Sequence, residues 1–207
     1  MKGKFITFEG CEGVGKSTQI RLLQAYMDER GIEYYMTREP GGSSISEQIR
    51  AVILDGKNAE MTDECEALLY SASRVQLLSE VIKPRLDAGE LVFCDRYVDS
   101  SLAYQGYARG LGVEFVERIN DYALREFTPD LTVFLDLDPS KAFMRKGGAD
   151  KTDRLEQSGM SFHEKVYKGY KELSKKYANR YLVIDASGSK MQTHQKIISA
   201  LKEKGVF

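Results

Sequence analysis

The stretch Gly10-Cys11-Glu12-Gly13-Val14-Gly15-Lys16-Ser17 constrains this chain more than any other, because it fits G-x-x-x-x-G-K-[ST] in a setting that gives the pattern physical meaning. An apolar run, Phe5-Ile6-Thr7-Phe8, leads into it through Glu9, and a helical pattern begins at Lys16. Glycines let the backbone turn so that successive N–H groups point at one anion. The helix N-terminus adds the positive end of its dipole. In such a loop Lys16 reaches the β- and γ-phosphates of a nucleoside triphosphate, and the Ser17 hydroxyl can ligate Mg2+. Gly10 through Thr18 form the candidate ATP-binding segment.

Four further runs read as buried strands: Tyr34–Thr37, Leu91–Cys94, Leu131–Leu135 and Tyr181–Ile184. Each is apolar on both faces, as in a parallel sheet covered on both sides. Helical patterns separate them, so the fold class is three-layer α/β. Helices are expected over Lys16–Arg30, after Ser43-Ser44, from Thr62-Asp63 to Gly89, over Val113–Phe127, from Ser161 to Tyr177, and over Gln192–Lys202. In the third of these, Leu68, Ala72, Val75, Ile82 and Leu86 share one stripe, and Pro84 is expected to kink the last turn. Ser161-Phe162-His163-Glu164 has the spacing of a capping box. Arg145 to Arg154, with paired glycines and many charges, reads as a long mobile loop.

Composition excludes several functions. A net charge of −1 gives no global pull toward nucleic acid or an anionic membrane, so any bound anion is held locally. There is no signal-peptide architecture and no apolar run long enough to span a bilayer. The three cysteines, Cys11, Cys65 and Cys94, are scattered, which fits a reducing cytoplasm better than a disulfide framework. His163 and His194 read as structural.

The third run ends in Cys94-Asp95-Arg96-Tyr97. Ligands of open α/β sheets sit at the carboxyl ends of strands, so Asp95 belongs at the mouth of the phosphate loop, where it can hold Mg2+. Arg96 beside it is suited to a phosphate. No N-K-x-D or T-K-x-D segment is present, which argues against a GTPase.

At this point a resemblance becomes specific. Asp95-Arg96-Tyr97-Val98-Asp99-Ser100-Ser101-Leu102-Ala103-Tyr104-Gln105-Gly106 and Phe8–Gln19 resemble the signatures of thymidylate kinases of the bacterial type. Thr37–Gly42, Leu68–Arg74 and Asp153-Arg154-Leu155-Glu156 agree, in order, over nearly the whole chain. The resemblance implies a P-loop kinase fold with a five-stranded parallel sheet flanked by helices. It implies one domain over residues 1–207, with a mobile lid at about 143–156. It implies transfer of the γ-phosphate of ATP to dTMP with Mg2+, giving dTDP and ADP for dTTP and DNA precursor synthesis, by a cytoplasmic homodimer.

Residue roles follow from the same matches. Arg74 would hydrogen-bond the thymine base and Tyr70, four residues earlier, would stack on it. Arg96 would hold the dTMP phosphate, with Arg38 nearby. Ser101 and Gln105 would line the base and sugar, Tyr104 would leave no room for a ribose 2′-hydroxyl, and Glu12 would lie near the 3′-hydroxyl and Mg2+. Some members carry an arginine inside the phosphate loop; here Cys11, Glu12 and Val14 are not basic. The missing charge is expected from the lid, among Arg145, Lys146, Lys151 and Arg154, with Arg154 the best match for the catalytic cation and Gly147-Gly148 as hinge. Asp185–Gly188 resembles the family's adenine loop.

The acceptor is already an anion, so no general base is needed, and catalysis by Lys16, Asp95 with its metal, Arg96 and a lid arginine is positioning plus charge neutralisation. Two other readings are carried: a kinase for a deoxynucleoside or other small metabolite, with Glu12 or Asp95 as base, and an ATP-binding module without turnover.

Overall fold

The computed structural model describes residues 3–146 and 159–207. Five parallel strands, β1 (Lys4–Glu9), β2 (Tyr35–Arg38), β3 (Leu91–Asp95), β4 (Leu131–Asp136) and β5 (Tyr181–Asp185), lie in the order β2-β3-β1-β4-β5. The central strands are buried on both faces because helices cover both sides; Ile6, Phe8, Phe93, Val133 and Phe134 are fully enclosed. The edge strands β2 and β5 are only partly covered, and Val183 is 48% exposed. Because β1 sits between β3 and β4, the carboxyl ends of β1, β2 and β3 open on one crevice. Register puts Phe8, Arg38 and Asp95 in one row across it.

The helices are α1 (Lys16–Asp28), α2 (Ser44–Leu54), α3 (Asp63–Leu77), α4 (Lys83–Asp87), α5 (Val98–Ser101), α6 (Val113–Ile119), α7 (Asp121–Glu126), α8 (Pro139–Lys146), α9 (Met160–Lys176) and α10 (Lys190–Glu203). Four expectations are corrected. A π-helical turn, Leu78–Ile82, separates α3 from α4, one turn ahead of Pro84. The wider turn shifts the phase of the helix, so the expected stripe is split. Ile82 and Leu86 are buried, whereas Leu68, Ala72 and Val75 face outward. The inner face of α3 instead carries Glu66, Ser71, Ser73 and Arg74.

The helix expected over Val113–Phe127 breaks at Asn120, whose φ of −109° and ψ of 13° leave the helical region. The Ser161 capping box does not form, since α9 begins at Met160 behind Gly159. A capping box forms at Ser189 and Gln192, where α10 starts. Finally, Arg145 lies in helix α8, not in a loop. Gly147, Gly148, Lys151 and Arg154 lie outside the described residues.

A segment that the sequence pattern did not reveal, α5 followed by a π-helical stretch Leu102–Ala108, runs from the end of β3 past the crevice. It is pinned from below. The buried Asp99 takes a bidentate pair of hydrogen bonds from Arg180, at 2.6 and 2.7 Å.

Candidate active site

The phosphate loop needs its glycines. Gly10, Gly13 and Gly15 have φ of 147°, 76° and 98°, a region that costs other residues strain. A Cβ at Gly10 would also stand 3.1 Å from the Leu135 carbonyl oxygen. Between the glycines, Cys11 and Val14 turn into the core. Burial pushes the Cys11 thiol up to about 12, so it acts as a packing group. Lys16 opens α1, and its Nζ lies 3.5 Å from Asp95 Oδ1. That oxygen is buried and has no hydrogen-bond donor. Asp95 and the Ser17 side chain line one cavity. Among the described residues no cluster of three or more His, Cys, Asp or Glu could hold a metal. Two oxygen ligands suit Mg2+, which keeps waters and completes its shell with phosphate oxygens.

Arg96 follows β3 with φ of 69°, the one non-glycine with positive φ among the described residues. That conformation costs on the order of 1–3 kcal/mol and concentrates at functional sites. Its N–H donates to the Phe8 carbonyl at 2.9 Å. Nη1 donates to the Gly10 carbonyl, Ser100 Oγ and Tyr170 Oη at 3.3, 3.2 and 3.5 Å, and Nη2 donates to Glu12. The guanidinium sits 5.1 Å from the centre of the Tyr104 ring.

In front of it opens a cavity of about 240 Å³. Glu12, Lys16, Ser17, Arg38, Tyr70, Asp95, Arg96, Ser101, Tyr104 and Gln105, all singled out from sequence, line it. Arg74 does not. It is 1% exposed and donates to Glu39 Oε2 at 2.7 Å, Asn120 Oδ1 at 2.5 Å and Ser101 Oγ at 3.1 Å. It therefore stands one layer behind the wall, with Ser101 between it and the cavity. Arg38 is paired with Glu47 at 2.9 Å at the rim.

A second cavity, about 810 Å³, lies on the other side of the loop. It is bounded by Cys11 through Gln19, by Arg145 of α8, and by Gly188, Ser189, Lys190 and Thr193 around the start of α10. Arg145 holds the strand-to-helix loop by its main chain, donating to the carbonyls of Ala186, Ser187 and Gly188 at 2.7, 2.6 and 3.2 Å. The two cavities share Glu12, Lys16 and Ser17.

The thymidylate kinase family model matches residues 8–197. The chain is 51% identical to the thymidylate kinase of Geobacillus thermodenitrificans over 189 residues, 90% of this chain and 84% of the relative. It is 51% identical to that of Lactobacillus delbrueckii subsp. bulgaricus over 190 residues, 90% of each chain. The chain belongs to the thymidylate kinase family. Its fold is similar to the crystal structure of thymidylate kinase from Ehrlichia chaffeensis, with a TM-score of 0.77 and 30% identity over 98% of this chain and 100% of the other.

As a thymidylate kinase, the chain carries functional candidates to which the sequence assigned no role. Glu39, Pro40 and Ser100, inside the quoted motifs, and Arg50 and Leu54, outside them, complete the smaller cavity. Glu39 is fully buried, and that burial pushes its carboxyl up to about 7 although Arg74 pulls it down. Glu66, also buried, accepts from Gln105 Nε2 at 2.8 Å and from Arg109 Nη2 at 3.1 Å. Only local motifs can be read from sequence; Arg50, Leu54 and Glu66 lie outside them and reach the site through contacts between separate elements. His163 and His194 are buried, and His163 packs on the rings of Phe143 and Phe162.

Proposed function

We propose that the two cavities are the acceptor and donor halves of one phosphoryl-transfer site, meeting at Glu12, Lys16 and Ser17. The reaction is phosphorylation of dTMP to dTDP with ATP as phosphate donor. The observation that carries the assignment of the halves is their sharing of the phosphate-loop lysine and serine. ATP would lie on the loop side, its adenine beside the segment that Arg145 clamps. In the smaller cavity Tyr70 would cover the thymine, and Ser101, Gln105 and Arg74 behind Ser101 would read it. Tyr104 and Glu12 would border the deoxyribose, and Arg96 with Arg38 would take the 5′-phosphate.

Ser17 and Asp95 would hold Mg2+, which when bound screens the charge of the phosphates. Lys16 and Arg96 bring positive charge from opposite sides of the junction. The acceptor oxygen needs no base, so holding the two nucleotides in line is the main task of these residues. Arg154, outside the described residues, is proposed as the further cation. The test is ADP release with ATP and Mg2+ against dTMP, dUMP, TMP carrying ribose, CMP, AMP, GMP and thymidine. Strong preference for dTMP and weak use of the ribose form are expected. Activity on thymidine but not dTMP would return the weight to a nucleoside kinase.

A cytoplasmic homodimer is part of the same proposal. No helix among the described residues is long and apolar enough to cross a membrane. Ile45 and Val52 on α2 and Leu68 and Val75 on α3 are 39–52% exposed. Each pair is seven residues apart, so each repeats along one helix face, and α2 packs against α3. An apolar face of this kind is suited to a second copy. Sedimentation should give the mass of two chains. The double variant Leu68→Asp, Val75→Asp should give one. A monomer from the unaltered chain at micromolar concentration would sink the dimer.

A further inference from the structure

Glu9, the last residue of β1, is completely buried and accepts four hydrogen bonds. Oε1 takes the N–H groups of Tyr97 at 2.8 Å and Ser100 at 3.3 Å. Oε2 takes the hydroxyls of Ser100 at 2.6 Å and Tyr170 at 2.7 Å. One carboxylate thus ties the strand that enters the phosphate loop to the loop carrying Arg96 and to α9. The same two hydroxyls, 2.9 Å apart, are the ones that Arg96 Nη1 meets.

Proton counting makes this arrangement directional. A hydroxyl has one proton, and an ionised carboxylate only accepts. With both protons drawn to Oε2, both oxygens offer lone pairs to the guanidinium. Together with the Gly10 carbonyl they form a three-acceptor seat for one edge of Arg96. Its other nitrogen, Nη2, is directed to Glu12 at the cavity. We infer that Glu9 is a positioning residue for phosphoryl transfer, orienting the Ser100 and Tyr170 hydroxyls so that they seat Arg96. This rests on the reading of Arg96 as the arginine that holds the acceptor phosphate.

The groups facing Glu9 are Cys94 of β3, Arg96 and Tyr97 after it, Asp99 of α5, Tyr170 of α9 and Tyr181 of β5. Burial holds the thiol and the phenols in their protonated forms. That leaves Arg96 and Asp99 as the charges acting on Glu9. Burial, then the charge of Asp99, pushes its carboxyl up to about 7, against the pull of Ser100, Arg96 and Tyr170. A proton on Glu9 would have to be donated to one of its own donors, which unseats Arg96.

The test is Glu9→Gln, a change of the same size, in steady-state assays with folding checked by circular dichroism. A hydrogen-bond arrangement at a charged group supports a rise of about 10-fold or more in KM for dTMP. KM for ATP should change less than about twofold. The acid limb of the kcat/KM profile for dTMP should move to lower pH, toward the second ionisation of the dTMP phosphate at about pH 6, which remains. Combining it with Arg96→Lys should cost little beyond Arg96→Lys alone, because Glu9 acts through that residue.

Equal shifts in both KM values, independent multiplication of the two losses, or an acid limb left unmoved in Glu9→Gln would overturn the inference. Should Arg96→Lys alone leave KM for dTMP unchanged, the reading of Arg96 fails, and the role of Glu9 with it. Tyr170→Phe keeps the carboxylate and removes one hydroxyl, so it serves if Glu9→Gln does not fold. It should raise KM for dTMP about 3-fold or more, and an unchanged KM would count against the seat.

Discussion

The cleft proposed for the donor is bounded by the phosphate loop, whose glycines turn its N–H groups toward one point, and by a strand-to-helix segment whose three carbonyls Arg145 holds in place. Around the cleft proposed for the acceptor stand Tyr70, Arg96, Ser101, Tyr104 and Gln105, backed by the buried ionisable groups Glu9, Glu39, Glu66 and Arg74. A main-chain cradle tolerates many side chains at its variable positions. A side-chain cleft is set by particular residues and by what stands behind them. The donor half therefore suits a ligand recognised by its phosphates, and the acceptor half one that must be told from close relatives.

That contrast can be broken or sharpened by substitution. The largest effect is expected at the junction, where Lys16→Met should lower kcat by about 10³-fold or more, as for loss of a preorganised charge-stabilising donor. Near-normal turnover would contradict the shared-junction reading. On the acceptor side, Arg96→Ala should reduce kcat/KM for dTMP by about 10²-fold while leaving ATP binding within about twofold. A matching loss on the ATP side would erase the division into halves. On the donor side, Arg145→Ala frees the three carbonyls. It should raise KM for ATP about 10-fold with KM for dTMP unchanged, and a rise confined to dTMP would reverse the assignment of the cavities.

The smallest expected effect is in stability. Glu9 and Glu39 both have raised carboxyl pKa values, to about 7 against a reference of 4.5. In the folded chain they keep protons that the unfolded chain has released. Their contribution is complete below about pH 4.5 and is lost as pH rises through about 7, on the order of 1–3 kcal/mol per group. Urea melts at pH 5 and pH 8 should show a smaller fall for Glu9→Gln than for the parent. An equal fall would remove Glu9 from the titrating set.

The sequence exposed what is local. Lys16 and Ser17 were legible because a strand, a turn and a helix start lie within a few residues of one another, and Asp95 because it closes a strand. Leu68, Ala72 and Val75 were expected on a stripe with Ile82 and Leu86, but the intervening π turn changes the helix phase, and periodicity alone carries no sign of it. The break at Asn120 is tied to a contact with Arg74, 46 residues away. Glu9 looked like the end of a strand because its partners lie 88 to 161 residues further along. The expected cap at Ser161 and the observed one at Ser189 follow the same chemistry. At Ser161 the helix had already begun.

Among the described residues the two clefts share Glu12, Lys16 and Ser17. With the nucleotides placed as proposed, both must be bound together for transfer, so initial-rate lines at several fixed co-substrate concentrations should intersect, and parallel lines would count against that placement. A single molecule joining two nucleosides through a polyphosphate would occupy both clefts and gain from the tether what two separate ligands lack.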